Sequence, residues 1–321
     1  MTVQVGIIGT GFGARVVAPT FAGTDGCRVV DVVSARDDAG VVALCENVDV
    51  DLICVHSPPF LHVSHVRRAI STGHAVLCDK PFGLDANQAQ TLLAAAEAAD
   101  CLHLVNFEFR CDPTRALVRD LIADGTIGEP EHVEWTHLSA GSRQPLRAHG
   151  WLFDRQAGGG WVGAWGSHAV DFLRWVFGDV LEARAWCRTT IGERPDAGGR
   201  AQPCDAEDGF TATLRLVGDV TVAIDSSFAA PVSVAPRLVV VGRDGVLECV
   251  ADARVVVRSA DGRRREFVTE VDGDRHLVPM QRWAELVRDA VRDGIGPPGT
   301  PTFADGLACA QVLDQLRAGR G

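Results

Sequence analysis

A short run rich in β-branched residues, Val3 to Ile8, leads directly into Gly9-Thr10-Gly11-Phe12-Gly13-Ala14 and then into Arg15 to Ala22, which can be helical although Pro19 interrupts it. Such a run fits a strand buried on both faces of a parallel sheet. The G-x-G-x-x-A turn lets backbone N–H groups approach a pyrophosphate at a helix N-terminus, and the small Ala14 lets helix and strand pack closely. An ordinary strand-to-helix turn can also use glycine. Here strand, turn and helix come in the required order, and this points to a dinucleotide site.

The pattern repeats. Strands are expected over 28–33, 51–57, 75–78 and 102–107, with helices over 60–71, 86–98 behind an Asp85 cap, and 113–123. Strands alternating with helices imply a doubly wound parallel sheet whose ligands bind beyond the strand C-termini, where Gly9, Ser57 and Asp79-Lys80 fall. From Glu131 the pattern changes to short strands separated by Gly-Asp and Asp-Gly turns, over 132–138, 180–188, 209–217, 219–228, 236–242, 245–250, 253–258 and 264–268. These read as a second, mostly antiparallel sheet, accompanied by helices over 161–177, 279–293 and 303–318. Residues 192–207 read as a mobile polar loop. The expected division is 1–123 for a dinucleotide-binding domain and 124–321 for a substrate and oligomerisation domain.

A net charge of −11 is the wrong sign for a nucleic-acid partner and unhelpful at an anionic membrane, which leaves small molecules or proteins as partners. No signal peptide or membrane span is read, so a cytoplasmic protein is expected. The ten cysteines have no C-x-x-C pair and no metal-ligand spacing with histidine, so no metal is expected and the thiols read as reduced core residues. There is no Tyr, which excludes a tyrosine general acid.

Lys80 is the only lysine; the other 30 of the 31 basic residues are Arg. A compact ammonium suits proton chemistry and the grip of a hydroxyl better than a guanidinium does, and this argues for a chemical role at the strand-to-loop junction where Lys80 sits. In Gly158-Gly159-Gly160 through Asp171, regular helical spacing puts Ala164, His168, Asp171 and Trp175 on one face, with an imidazole early in the helix. His168 is either an acid/base group or a core histidine among tryptophans. At the end of the second strand, Ser34-Ala35-Arg36 stands where an NAD site usually carries an acid, so NADP(H) is favoured and NAD(H) remains possible.

The chain resembles the Gfo/Idh/MocA family over nearly its whole length. The likeness rests on Gly9-Thr10-Gly11, on Ser57-Pro58-Pro59-Phe60-Leu61-His62, on Gly73 through Asp79-Lys80-Pro81, on Asn106-Phe107-Glu108-Phe109-Arg110, and on Gly158-Gly159-Gly160 with His168 and Asp171. It implies an N-terminal Rossmann domain and a C-terminal α/β domain with an open sheet that forms homodimers or homotetramers. The implied activity is NAD(P)-dependent oxidation or reduction at a carbinol of a sugar or cyclitol. Lys80 and His168 match the family's catalytic lysine and histidine. Gly9, Thr10, Gly11, Phe12, Ser34, Arg36, Ser57, Pro58, His62, Asp79 and Lys80 fall in the cofactor pocket, while Asn106, Arg110, Trp165 and Asp171 are candidates for contact with substrate. Asp79 replaces the usual Glu, and Ala164 stands where an Asp often assists the histidine. The stretch from Ser34 to Asp51 is too short for the helix and edge strand usual there.

Overall fold

The computed structural model describes residues 1–270 and 277–319. By contact the chain divides into two units, Met1–Cys111 with Asp272–Gln311 and Asp112–Val271 with Val312–Gly321. The break after Cys111 falls one helix before the 123/124 division expected from sequence.

In the first unit, β1 (Val3–Ile8), β2 (Cys27–Val33), β3 (Leu52–Val55), β4 (Ala75–Cys78) and β5 (His103–Val105) form a parallel sheet of order β2-β1-β3-β4-β5. Helix α1 (Ala18–Ala22) is preceded by a π turn over Gly13–Val17, in which the Ala18 N–H reaches back to the Gly13 carbonyl. Pro19 has no N–H for the carbonyl four residues back, and the wider turn lies just upstream of it. The stretch 34–51, expected to be too short for both a helix and an edge strand, holds the helix but no strand: α2 (Asp38–Cys45) forms there, capped by Asp37, which accepts the Gly40 N–H at 3.0 Å. Among the described residues no strand lies beyond β2 in this sheet, so β2 is its edge, with Arg28, Val30 and Asp31 exposed. Helices α3 (His62–Ser71) and α4 (Ala86–Ala98), the latter capped by Asp85, complete the expected alternation.

The second unit begins with α5 (Pro113–Ala123), β6 (Pro130–Leu138) and α6 (Ser167–Phe177). Then come β7 (Val180–Arg188), β8 (Glu193–Pro195), β9 (Ala201–Pro203), β10 (Gly209–Leu216), β11 (Thr221–Ser227), β12 (Arg237–Gly242), β13 (Gly245–Val250), β14 (Arg254–Ser259) and β15 (Arg264–Val268). Eight of these strands form an open sheet of order β15-β14-β13-β12-β6-β11-β10-β7, antiparallel except where β6 meets β11. Side chains alternate along it: Phe210, Ala212 and Leu214 are buried while Thr211, Thr213 and Arg215 are exposed. Residues 192–207, expected to be a mobile loop, instead hold the β8–β9 hairpin. Arg194 anchors it: this guanidinium is 1% exposed, donates to the Ser142 hydroxyl at 3.0 Å and lies over the Phe153 ring.

Helix α7 (Leu277–Asp293) belongs with the first unit, since Met280, Trp283, Ala284, Val287 and Ala290 join Val3, Val5, Ile7, Val17 and Phe21 in one core. Helix α8 (Phe303–Ala318) closes the chain. Among the described residues no helix is long and apolar enough to cross a membrane.

Candidate active site

The parallel ladder of the first sheet continues one residue past its strands. Gly9 N–H donates to the Val33 carbonyl at 2.8 Å, His56 to Ile8 at 2.8 Å, Asp79 to Val55 at 2.9 Å and Asn106 to Cys78 at 2.8 Å. These bonds set Gly9, His56, Asp79 and Asn106 in one row at the C-terminal edge, where an open α/β sheet takes its ligand.

Gly9 adopts φ +133°, and a Cβ there would collide with the His56 carbonyl. A Cβ on Gly13 would press on the Ile7 and His56 side chains. Gly11 has open space above it, and Thr10, Gly11 and Phe12 are exposed. The turn therefore leaves a free backbone surface of the kind a pyrophosphate needs.

Asp79 is the hub of the row. Its Oδ1 accepts the Lys80 N–H at 3.0 Å and the Asn106 Nδ2–H at 3.1 Å, and its Oδ2 lies 3.4 Å from His56 Nδ1, which is long for a hydrogen bond. Burial alone would raise this carboxyl, but His56, the positive charge of Lys80 and the Asn106 amide together hold it well below the usual carboxylate range. Lys80 follows directly and is partly buried.

On the neighbouring loop the Ser57 carbonyl accepts His62 Nε2–H at 2.8 Å, and Ser57 Oγ pairs with His65 Nδ1 at 3.0 Å. Pro58 leads into the single turn Pro59–Leu61 that opens α3. Burial pushes His62 down to about 4 against the charge of Asp79, so the ring is neutral near pH 7. With Nε2 donating, its Nδ1 is a bare acceptor. His62 Nδ1, both ring nitrogens of His56 and Asn106 Oδ1 are all buried without a protein hydrogen-bond partner, the 3.4 Å approach of His56 Nδ1 to Asp79 being an electrostatic contact. Open space over Gly11 beside this polar edge fits a bound dinucleotide. At the end of β2, Ser34 Oγ accepts the Arg36 N–H at 3.3 Å and the Arg36 side chain is exposed.

The Arg110 guanidinium donates to the Gly299 carbonyl at 2.9 Å and pairs with Asp305 at 2.8 Å, ties within the first unit.

In the second unit the glycine run has a steric cause. Gly158 and Gly160 have φ of +78° and +112°; a Cβ on Gly160 would strike the Glu207 carboxylate, and one on Gly159 the backbone of Trp151 and Leu152. The chain then enters a π turn over Val162–Gly166 before α6. Because a π turn advances more residues per revolution, Ala164 is out of step with the row expected from 3.6-residue spacing, whereas His168, Asp171 and Trp175 lie within regular α6. His168 and Asp171 are both buried. Trp165 is buried as well, with ring centroids 5.3 Å from Trp135, 4.7 Å from His137 and 6.1 Å from Phe210.

His56 was missed by sequence reasoning. Its only signal was a polar residue ending the otherwise apolar run Leu52 to Val55.

Two family models account for most of the chain. One described as "Oxidoreductase family, NAD-binding Rossmann fold" matches residues 3–107, and one described as "GFO/IDH/MocA C-terminal domain" matches residues 116–248. The chain is a member of the Gfo/Idh/MocA family. It is 31% identical over 243 residues to an uncharacterized oxidoreductase of Synechocystis, spanning 70% of this chain and 66% of that one. It is 26% identical over 337 residues to the inositol 2-dehydrogenase of Acidothermus cellulolyticus, spanning 99% and 93%. Among solved structures, levoglucosan dehydrogenase in complex with NADH and L-sorbose shares the fold, with a TM-score of 0.87 at 20% identity, covering 99% of this chain and 96% of that one. The chain spans between half and two thirds of the length of two of its relatives.

Proposed function

We propose that the protein is an NAD(P)-dependent oxidoreductase that moves hydride to or from a carbinol carbon of a sugar, sugar derivative or cyclitol. The observation that carries this reading is the row Gly9, His56, Asp79 with Lys80, and Asn106 at the edge of the parallel sheet, in a family that includes inositol 2-dehydrogenase. Gly9, Thr10, Gly11 and Phe12 would hold the pyrophosphate, with Ser57, Pro58, His62 and Asp79 lining the rest of the pocket. When bound, the nicotinamide supplies the two-electron acceptor or donor. In the oxidative direction His168 takes the proton of the substrate hydroxyl, and Lys80 donates a hydrogen bond to that oxygen as negative charge develops. In the reductive direction His168 returns the proton. Asn106, Arg110, Trp165 and Asp171 are the candidates for contact with substrate.

Ser34 and Arg36 support NADP(H) over NAD(H), because Asp37, the next acid, is engaged in capping α2. A homodimer or homotetramer through the open sheet is supported by its outer face, where Val239, Val241, Val246 and Val250 lie among Arg and Glu side chains. Light scattering of the purified chain tests it, and a monomer at micromolar concentration would reject it.

The deciding experiment titrates NADPH and NADH against tryptophan fluorescence, then follows nicotinamide absorbance with myo-inositol and a panel of sugars. Binding with turnover supports the reading, and absence of binding overturns it. Binding without turnover would favour a catalytically divergent dinucleotide-binding protein, a reading to which Ala164, with no carboxylate in the turn before His168, lends weight.

A further inference from the structure

We propose that His56 is a positioning residue for Lys80, acting through the Asp79 carboxylate. This rests on the reading above only in giving Lys80 its role. The His56 side chain is fully buried, and its place depends on two glycines: a Cβ at Gly9 would strike its carbonyl, and one at Gly13 would come within 3.2 Å of its Cβ. The Phe12 ring lies 5.8 Å away on the same turn. The imidazole therefore fills space that the dinucleotide turn leaves open, and its Nδ1 reaches across from the end of β3 to Asp79 Oδ2 at the end of β4.

The two carboxylate oxygens have divided duties. Oδ1 is taken by the Lys80 backbone N–H and the Asn106 amide, and among the hydrogen bonds and ion pairs of the described residues His56 is the side chain that faces Oδ2. A buried carboxylate lacking a partner on one oxygen would turn to find one. Since Oδ1 also holds the first atom of residue 80, any such turn moves the lysine. An imidazole is rigid and sets Nδ1 3.4 Å from Oδ2, too long for a good hydrogen bond but close enough to orient the carboxylate plane electrostatically from the opposite strand. The dinucleotide turn and the lysine loop thus meet on one ring.

The chain carries its own probe. Reductive methylation with ¹³C-formaldehyde labels Lys80 as the sole side-chain amine of the full chain. The ¹³C-methyl chemical shift at fixed pH is compared in the wild type, His56→Leu, His56→Gln, Asp79→Asn and the His56→Leu/Asp79→Asn double variant. His56→Leu is expected to move the signal by more than its linewidth, and His56→Gln, which keeps an N–H donor, to move it less. In the Asp79→Asn background His56→Leu should add nothing, because a group that works only through another loses its effect once that other is gone. Two outcomes overturn the proposal: a Lys80 signal unmoved by both His56 variants, or one moved equally with Asp or Asn at position 79. On turnover, His56→Leu should lower kcat about 10-fold or more while the dinucleotide dissociation constant stays within about threefold. A loss of dinucleotide affinity with unchanged kcat would instead assign His56 to the glycine turn. Should the protein prove to turn nothing over, the functional reading fails while the NMR comparison still decides the positioning role.

Discussion

A lone lysine among 30 arginines is a natural test of whether charge or shape matters at position 80. Arg keeps the charge but spreads it over a planar fork that cannot present one compact donor, so Lys80→Arg is expected to fail nearly as badly as Lys80→Ala. Both, and His168→Ala, should lower kcat/KM by about 10²-fold or more in steady-state assays. His62 gives a pH prediction of defined sign. Its folded-state value of about 4 lies below the ordinary histidine value, so the neutral ring contributes stability that is fully present above about pH 6.5 and is lost as pH falls towards 4. Across that window the effect is up to about 3 kcal/mol, and His62→Gln should flatten the acid limb of urea-unfolding stability against pH. The sequence singled out Lys80, His168 and His62 as candidates by residue type and position, while the burial that depresses His62 is a tertiary property. That His56 belongs with them was not legible there, because its relation to Asp79 is made by sheet pairing between positions 23 residues apart.

At the level of elements, the glycines of the first turn separate folding from binding. Gly9→Ala should lower the thermal midpoint, since it combines a φ of +133° with a clash against backbone, a strain of about 1–3 kcal/mol or more. Gly11→Ala meets open space, so its stability should stay within about 0.5 kcal/mol of wild type. Dinucleotide affinity should nevertheless fall in fluorescence titration, because the added methyl occupies the surface the pyrophosphate would use. Near-equal stability loss in both variants would contradict this division. The elements themselves were largely readable: β4, α4 and α5 lie where periodicity and the Asp85 cap put them. The two π turns were not, because hydrophobic period does not distinguish i−4 from i−5 bonding in a Gly- or Pro-bearing stretch. Helix α2 escaped for a different reason. Its eight residues form about two turns held by one cap, too short for a periodic pattern to stand out.

At the level of the whole chain, α7 shows why a linear division misleads. Its spacing at 280, 283, 284, 287 and 290 announces an amphipathic helix, yet nothing in that spacing says which core receives it. The structure seats it against β1 and α1, with Trp283 fully buried beside residues from the start of the chain. A fragment ending at residue 123 should therefore fail to fold cooperatively, as read by near-UV circular dichroism and a denaturant transition. In the full chain, Trp283→Ala should cost about 3–5 kcal/mol. A stable, cooperatively unfolding 1–123 fragment would refute this placement. The sequence by itself determined the alternation of strands and helices, the glycine turns and the chemical types at positions 80 and 168, because these are set by local backbone freedom, hydrophobic period and functional groups. Only the tertiary structure decided that α7 completes the first core, that Arg110 pairs with Asp305, and that His56 stands against Asp79. Each of these depends on contacts between residues distant in the chain, and pairing across a sheet or packing in a core selects such partners by shape rather than by any local signal.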